Sequence, residues 1–216
     1  EQIIRAFMNG KILRNNLSGK CDSIHFSQLT GIAQLINKQN SFNERSRKIK
    51  KPILWSNKSQ ITGDSIHIKF DTDKNIIDSL FVFDNAFIIE KDTLEIGFNQ
   101  ISGKRLNGNF IDGKLKEVDI IKNAESVYYL RNSENELIGI DKSKSAKIKI
   151  LISEENIDTF TKINQIDGNV YPEDEFNEND KLLKGFFFRE DEIIKTIDDL
   201  FIEDKKFQFT KIKKLE

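Results

Sequence analysis

Apolar and polar residues alternate along much of this chain, as they do in β-strands that have one buried face and one solvated face. Every second residue of 65–70 is apolar, from Ile66 to Phe70. The same alternation recurs in residues 147–152 and is nearly continuous over residues 52–129. The pattern therefore predicts an antiparallel all-β fold in which one face of each sheet is buried.

A glycine-centred motif repeats within the alternating region. It reads Leu-Ser-Gly at 17–19, Gln-Ile-Thr-Gly at 60–63 and Gln-Ile-Ser-Gly at 100–103. An Asn-Ala pair follows the second and third copies, at 85–86 and 123–124. The shared glycines, at 19, 63 and 103, recur after 44 and 40 residues. A repeat of this length predicts one supersecondary unit that is used several times, so that neighbouring units complete each other's core.

Turn residues divide each unit into two strands. The turns are expected at residues 71–75, at the Asp-Gly of 112–113 and at residues 154–156, and a polar hairpin tip is expected at 131–136. Asp-Gly between two alternating runs is a strong hairpin signal. The unit is therefore predicted to be a β-hairpin, with a weaker fourth copy in residues 147–160.

The C-terminal region has a different pattern. Residues 168–181 are acidic and read as a loop, whereas the apolar residues of 190–201 have the spacing of a helix. We expect a short helix that covers one end of the sheet. The predicted organisation is a region of β-repeats at 1–189 and a C-terminal helix with a charged tail at 190–216. Residues 37–51 are polar and basic and are predicted to be a loop.

The composition narrows the possible functions. The chain has 216 residues, with 34 basic and 35 acidic side chains and a net charge of −1, so nothing favours a nucleic-acid partner. It contains no run of about 18 apolar residues, so no membrane span is predicted, and no signal peptide is recognisable. Because it begins at Glu1 without a methionine, we expect a mature product or a piece of a longer protein.

The residues that could support catalysis or metal binding are few. His25 and His67 occupy the same slot of the repeat, but two histidines without a third ligand are a weak metal site, and surface polar residues are the favoured interpretation. Cys21 cannot form an internal disulfide, and on a strand it would share a face with His25 about 13 Å away. Neither a phosphate loop nor a nucleophile elbow is present. We expect no enzyme activity and no cofactor; catalysis by Asp64, His67 or Cys21 is the least supported alternative.

A set of sequence blocks resembles a known family. The blocks are residues 52–56, 60–66, 85–88, 98–104, 123–129, 139–145, 183–189 and 199–201. They resemble the OstA-like proteins of Gram-negative envelopes, which are relatives of the periplasmic lipopolysaccharide-transport bridge. The resemblance covers most of residues 9–201. One departure is Ile193-Ile194, which stands where related sequences tend to carry Arg-Pro.

The resemblance implies both a fold and a function. The fold is a β-jellyroll of two antiparallel sheets folded like a V. The implied function is non-enzymatic: an apolar interior shields the acyl chains of lipopolysaccharide or lipid A in the periplasm or at the outer membrane. Partner jellyrolls, or further copies of the chain, would join edge to edge and continue the sheets. The chain resembles the later part of a longer family member, so it would either carry lipid or end such an array.

Two interpretations of the interior are open at this point. One is a trough for acyl chains, and the other is an ordinary filled core in a scaffolding module that pairs with envelope proteins without binding lipid. Both place the same side chains inside, and a register error of one residue would replace Leu80 and Val82 by Phe81 and Phe83. The predicted lipid-contacting residues are Ile24, Phe26, Ile66, Ile68, Phe70, Leu80, Val82, Phe110, Val118, Ile148, Ile150 and Ile152.

Overall fold

Long antiparallel strands dominate the computed structural model, which describes residues 2–14, 17–37, 51–56, 58–92, 94, 97–154 and 156–202. Among these residues, twelve strands form one continuous hydrogen-bonded sheet. Three short 3₁₀ helices span Glu173–Glu175, Glu178–Asp180 and Glu190–Glu192, and one α-helix, α1, spans Ile197–Phe201. The strands are β1 (Ile3–Arg14), β2 (Leu17–Ser27), β3 (Ile32–Ile36), β4 (Ile53–Ser56), β5 (Ser59–Thr62), β6 (Ser65–Asp71), β7 (Ile76–Lys91), β8 (Phe98–Ile111), β9 (Lys114–Arg131), β10 (Leu137–Ser153), β11 (Asn156–Ile163) and β12 (Asp167–Tyr171).

The long strands bend near their middles. In β7 the bend lies at Asp84 and Asn85, where φ is 53° and 51°, and in β9 it lies at Lys122 and Asn123, where φ is 66° and 52°. The strand register shifts at the same places. Each long strand therefore leaves one sheet and enters another along a shared line, which we call the crease.

The crease divides the strands into two facing sheets, which is the V-shaped jellyroll arrangement that the family resemblance implies. The first sheet contains residues 10–14 of β1, 17–20 of β2, β4, β5, 86–91 of β7, 98–103 of β8, 124–131 of β9, 137–145 of β10 and β12. The second sheet contains residues 3–7 of β1, 23–27 of β2, β3, β6, 76–83 of β7, 105–111 of β8, 114–121 of β9, 147–153 of β10 and β11.

The repeated sequence motif builds the crease. A Cβ atom on Gly63 would lie 2.1 Å from Val82 Cγ1, and one on Gly103 would lie 2.4 Å from Ile120 Cγ2, so the close approach of the sheets requires glycine there. The Asn residues of the Asn-Ala pairs suit left-handed backbone better than most residues. Gly63, Gly103 and the two Asn-Ala pairs therefore lie at the crease, where the long strands bend.

The segment after β12 crosses the outer face of the first sheet. Residues 172–202, which we call the strap, run from the β12 edge toward β1, and Lys11 of β1 donates from Nζ to the Asp199 carbonyl at 3.2 Å. The prediction of a short C-terminal helix is confirmed, but α1 has five residues and Ile193 is extended. The prediction that residues 168–181 form only a loop is wrong, because Gly168 to Tyr171 pair with β10. Residues 38–50 lie outside the described part of the chain.

Candidate functional site

The space between the two sheets contains one apolar cluster, and the structure places all twelve predicted lipid-contacting residues in it. Leu80 and Val82 face inward and are buried, so the uncertain register of β7 is resolved in their favour. The other fully inward members are Ile66, Ile68, Val118, Ile148 and Ile150, and the half-buried members are Ile24, Phe26, Phe70, Phe110 and Ile152. Whether these side chains contact lipid stays a prediction.

The long opening between the sheets, opposite the crease, is what we call the mouth. Half-buried Phe70 and Phe110 lie at its second-sheet rim, next to the turns that end β6 and β8. Arg14 of the first sheet reaches across, donating to the backbone carbonyl of Asn75, and its guanidinium carbon lies 5.1 Å from the centroid of the Phe70 ring. The mouth is therefore narrow in this structure, and an aromatic–guanidinium contact crosses it.

The first-sheet rim of the mouth is polar. Cross-strand pairing aligns Ser59, Glu90 and Asn99, and it aligns Tyr128 with Asp141. Burial raises the pKa of the Glu90 carboxyl, and the Ser59 hydroxyl donates to it at 3.3 Å. Burial also raises the pKa of Tyr128. The mouth thus has half-buried aromatic side chains at its second-sheet rim and polar side chains at its first-sheet rim.

The two ends of the inter-sheet space differ in chemistry. At the β11 end, Phe160 of the second sheet contacts Tyr128 of the first, with ring centroids 5.3 Å apart, and Lys162 forms an ion pair with Asp141. At the β1 end, Ile4 faces inward opposite Phe26 and is 64% exposed. No described strand pairs with the other side of β1.

Among the comparisons with known proteins, the one with solved structures gives a match. No family model matches the sequence, and no curated protein matches it. Among solved structures, the chain is similar to LptH of Pseudomonas aeruginosa, the LptA-homologous periplasmic component of a lipopolysaccharide transport device. The two are 12% identical, with a TM-score of 0.49, and the match covers 72% of this chain and 95% of that chain.

The all-β, two-sheet architecture is visible in the strand pairing itself.

Two buried glutamines hold the strap, and sequence reasoning missed them. Gln100 is fully buried; its Nε2 donates to the Lys181 carbonyl at 2.7 Å and its Oε1 accepts from the Leu183 amide at 2.8 Å. Gln60 pairs in the same way with the Phe187 carbonyl and the Arg189 amide, at 2.7 Å and 2.8 Å. Both glutamines open a copy of the repeated motif, which was the signal available in the sequence.

Aromatic side chains complete the contact between the strap and the first sheet. Phe98 of β8 packs against Phe186 and Phe188 of the strap, with ring centroids 5.0 Å and 5.1 Å apart. Phe87, Ile89, Val127, Tyr129 and Ile140 form the sheet side of this second cluster, which also includes Phe176 and Leu183 of the strap. The first sheet is therefore covered on both faces over this cluster.

His25 and His67 lie on the outer face of the second sheet. His25 and His67 both lie opposite Gln34, on either side of β3, so two strand spacings of about 4.8 Å separate them. The described residues contain no cluster of three or more potential metal ligands. Burial lowers the pKa of His67, which packs against Phe83 with ring centroids 4.7 Å apart. These positions fit the interpretation of the histidines as polar residues on the outer face of the strands, although both are half-buried.

The remaining polar candidates have local roles. The expectation that Cys21 and His25 share a face is wrong because β2 crosses the crease between them: Cys21 lies in the interior cluster, whereas His25 contacts Phe7 outside. Burial raises the pKa of the Cys21 thiol to about 12. Asp64 accepts a hydrogen bond from Asn85 Nδ2 at 2.8 Å at the crease. Among the described residues, no helix has the length and apolar character needed to cross a bilayer.

Proposed function

We propose that this protein is a non-enzymatic envelope protein that binds the acyl chains of lipopolysaccharide or lipid A between its two sheets. It would help to carry the lipid across the periplasm to the outer membrane. The observation that carries the proposal is the continuous apolar cluster between two sheets that are joined along the crease and meet across the mouth through side chains. Burying an acyl chain there is worth about 0.8 kcal/mol per CH₂ group.

Lipid binding requires the sheets to part. The deepest interior residues, such as Ile66 and Ile148, are fully buried by protein in this structure. Parting the mouth would break the contacts of Arg14 with Asn75 and Phe70, while the backbone connections at the crease stay intact. The crease then acts as the hinge of the V, and the acyl chain replaces the contacts that each apolar wall made with the other.

Partner pairing belongs to the same proposal. A second jellyroll, either another transport protein or a second copy of this chain, would add a strand to an exposed sheet edge. The β1 edge offers Ile3, Phe7 and Met8 as exposed apolar side chains, and no described strand pairs with its outer side. Such an edge favours strand addition, because a long exposed apolar edge strand is otherwise a liability.

A locked mouth tests the proposal. Cysteines at Arg14 and at Lys74, the residue before Asn75, can be joined by a flexible bismaleimide, and the buried native Cys21 should not compete. We expect lipid A to bind saturably to the protein in which each cysteine carries a monofunctional maleimide. The cross-linked protein should lose this binding. Equal binding by the locked and unlocked proteins would place the lipid elsewhere and overturn the proposal.

One observation favours the alternative, a scaffolding module that pairs edge to edge without lipid. The interior cluster is closely packed, with side chains such as Leu35 fully buried, as in an ordinary sandwich core. On this alternative, lipid A would not bind even to the unlocked protein. Pairing through β1 would persist without lipid and be lost when Arg5→Pro removes an edge amide.

A further inference from the structure

We propose that the inter-sheet space is open to acyl chains at its β1 end and closed at its β11 end by a plug of Tyr128, Asp141, Phe160 and Lys162. This inference rests on the proposed function, and it assigns a direction to the site. It rests on two features that differ between the ends. One is the kind of contact across the gap, which includes an ion pair at the β11 end and is made by Arg14 with Asn75 and Phe70 on the β1 side; the other is the polarity of the walls.

The closed end is built by side chains that cross between the sheets. Phe160 of β11 and Tyr128 of β9 belong to different sheets, and their ring centroids are 5.3 Å apart. Lys162 lies opposite Ile148, a member of the interior cluster, so its side chain starts on the inner face. From there it forms an ion pair with Asp141, which is 7% exposed. An aromatic contact and a partly buried ion pair therefore join the sheets here.

The first-sheet wall beside the plug is polar. Ser126 lies opposite Ile101 of the interior cluster and next to Ser143, and the two serine hydroxyl oxygens are 2.9 Å apart. Ser126, Ser143 and Asp141 are all buried. Toward β1, the same wall is formed by apolar residues such as Leu54 and Ile61. An acyl chain moving toward β11 would thus exchange an apolar wall for a polar one.

Opening the closed end is costly for electrostatic reasons as well. Parting the sheets there would separate Lys162 from Asp141, and lipid would then surround charges that had lost their partner. An unpaired charge in an apolar environment is strongly unfavourable. The mouth contact at Arg14 differs, because its hydrogen-bond acceptors belong to Asn75 at an exposed turn, where water can replace them.

The β1 end presents the opposite chemistry. Ile4 lies on the inner face opposite Phe26, and Ile12 packs against the interior cluster. Ile4 is largely exposed because no described strand continues the sheet beyond β1. An acyl chain can therefore reach apolar side chains at this edge without breaking an ion pair. Lipid would enter and leave through the β1 end.

Two edge residues provide a matched test. Ile4 on β1 and Val170 on β12 are both apolar, both lie on inner-face rows, and are 64% and 57% exposed. A photoreactive amino acid is placed at Ile4, at Val170 or at the central Leu80 of the full chain, and each variant is irradiated with purified lipid A. We expect adducts at Leu80 and Ile4 and at least a tenfold lower yield at Val170. Equal yields at Ile4 and Val170 would overturn the closed end.

A plug variant shows whether the named residues close that end. Phe160→Ala, Asp141→Ser and Lys162→Ser are combined, so that no unpaired charge remains, and circular dichroism checks that the protein is folded. We expect the yield at Val170 to rise to that at Ile4. A folded plug variant whose Val170 yield stays low would overturn the role of the plug. Absence of an adduct at Leu80 in every variant would instead refute lipid binding itself, so the two failures are distinguishable.

Discussion

Replacing Gln100 by alanine should release the strap from the first sheet. The Gln100 side chain makes two hydrogen bonds to the strap backbone, one to the Lys181 carbonyl and one from the Leu183 amide. A typical hydrogen bond contributes a net free energy of about 1 kcal/mol, and a buried group left without a partner costs about 1–3 kcal/mol. The expected loss of strap docking is therefore about 2–4 kcal/mol.

Hydrogen exchange measures this loss directly. Because each 1.4 kcal/mol is a factor of ten, a loss of about 2 kcal/mol should speed exchange of the docked strap amides about 30-fold. The effect should be strongest at the Leu183 amide and weaker for amides in the β8–β9 pairing. Urea unfolding of the same variant should show a lower free energy of unfolding.

Gln34→Ala is the matched control. Gln34 is half-buried on β3 of the second sheet, away from the strap, and the same chemical change there should alter the free energy of unfolding by less than about 0.5 kcal/mol. Strap amides should exchange at the wild-type rate in this variant. If Gln100→Ala and Gln34→Ala had the same effect on the strap amides, the glutamine would not be what holds the strap.

Three further predictions concern the interior and the rim. Ile68→Ala should lower the free energy of unfolding by about 2–5 kcal/mol because it leaves a cavity between the sheets; a urea titration showing a loss below about 1 kcal/mol would mean that the site collapses. Cys21 should resist alkylation at pH 8 in the native protein and react after unfolding, since burial raises its pKa to about 12; rapid labelling of the native protein would contradict its burial. Burial raises the pKa of Glu90, so the folded state holds this proton more tightly than the unfolded state, and stability should fall as pH rises from the ordinary pKa of glutamate through the raised value. Glu90→Gln should remove the part of the pH dependence of stability that comes from Glu90. An unchanged slope of the free energy of unfolding against pH in this variant would contradict a raised pKa at Glu90.

Much of the sheet architecture was predictable because it depends on local patterns. Alternation identified the inward side chains of β6 and β10, and the Asp-Gly pair located the β8–β9 turn. The repeated glycines and Asn-Ala pairs signalled a repeated unit, but their role at the crease emerges from the geometry. Close approach at Gly103, for example, depends on Ile120, which is distant in the sequence.

The strap was not predictable in the same way because it has little regular structure. Its docking depends on side chains of β5 and β8 that donate and accept hydrogen bonds with backbone far along the chain, such as Gln60 with Phe187. Strand β12 was missed because Asp167, Gly168 and Asn169 have low strand propensity, and pairing with β10 outweighs it.

The polar end of the interior was not found by the search for alternating apolar residues. Lys162 and Asp141 are charged and were not among the predicted interior residues, yet both side chains start on inner-face rows and meet across the gap. Such a pair becomes recognisable when both sheets are in place. Departures from local patterns are expected at sites with a specific role, and this one motivates the closed end.

The most direct test of lipid binding between the sheets compares two adjacent residues of β6. Ile68 is buried in the inter-sheet cluster, whereas Lys69 is exposed on the outer face of the same strand. A photoreactive amino acid is placed at each position, and the proteins are irradiated in cells after their folding and export are verified. The account predicts lipopolysaccharide adducts at Ile68 and none at Lys69. No adduct at either position, in a folded and exported protein, would contradict it and favour the scaffolding module.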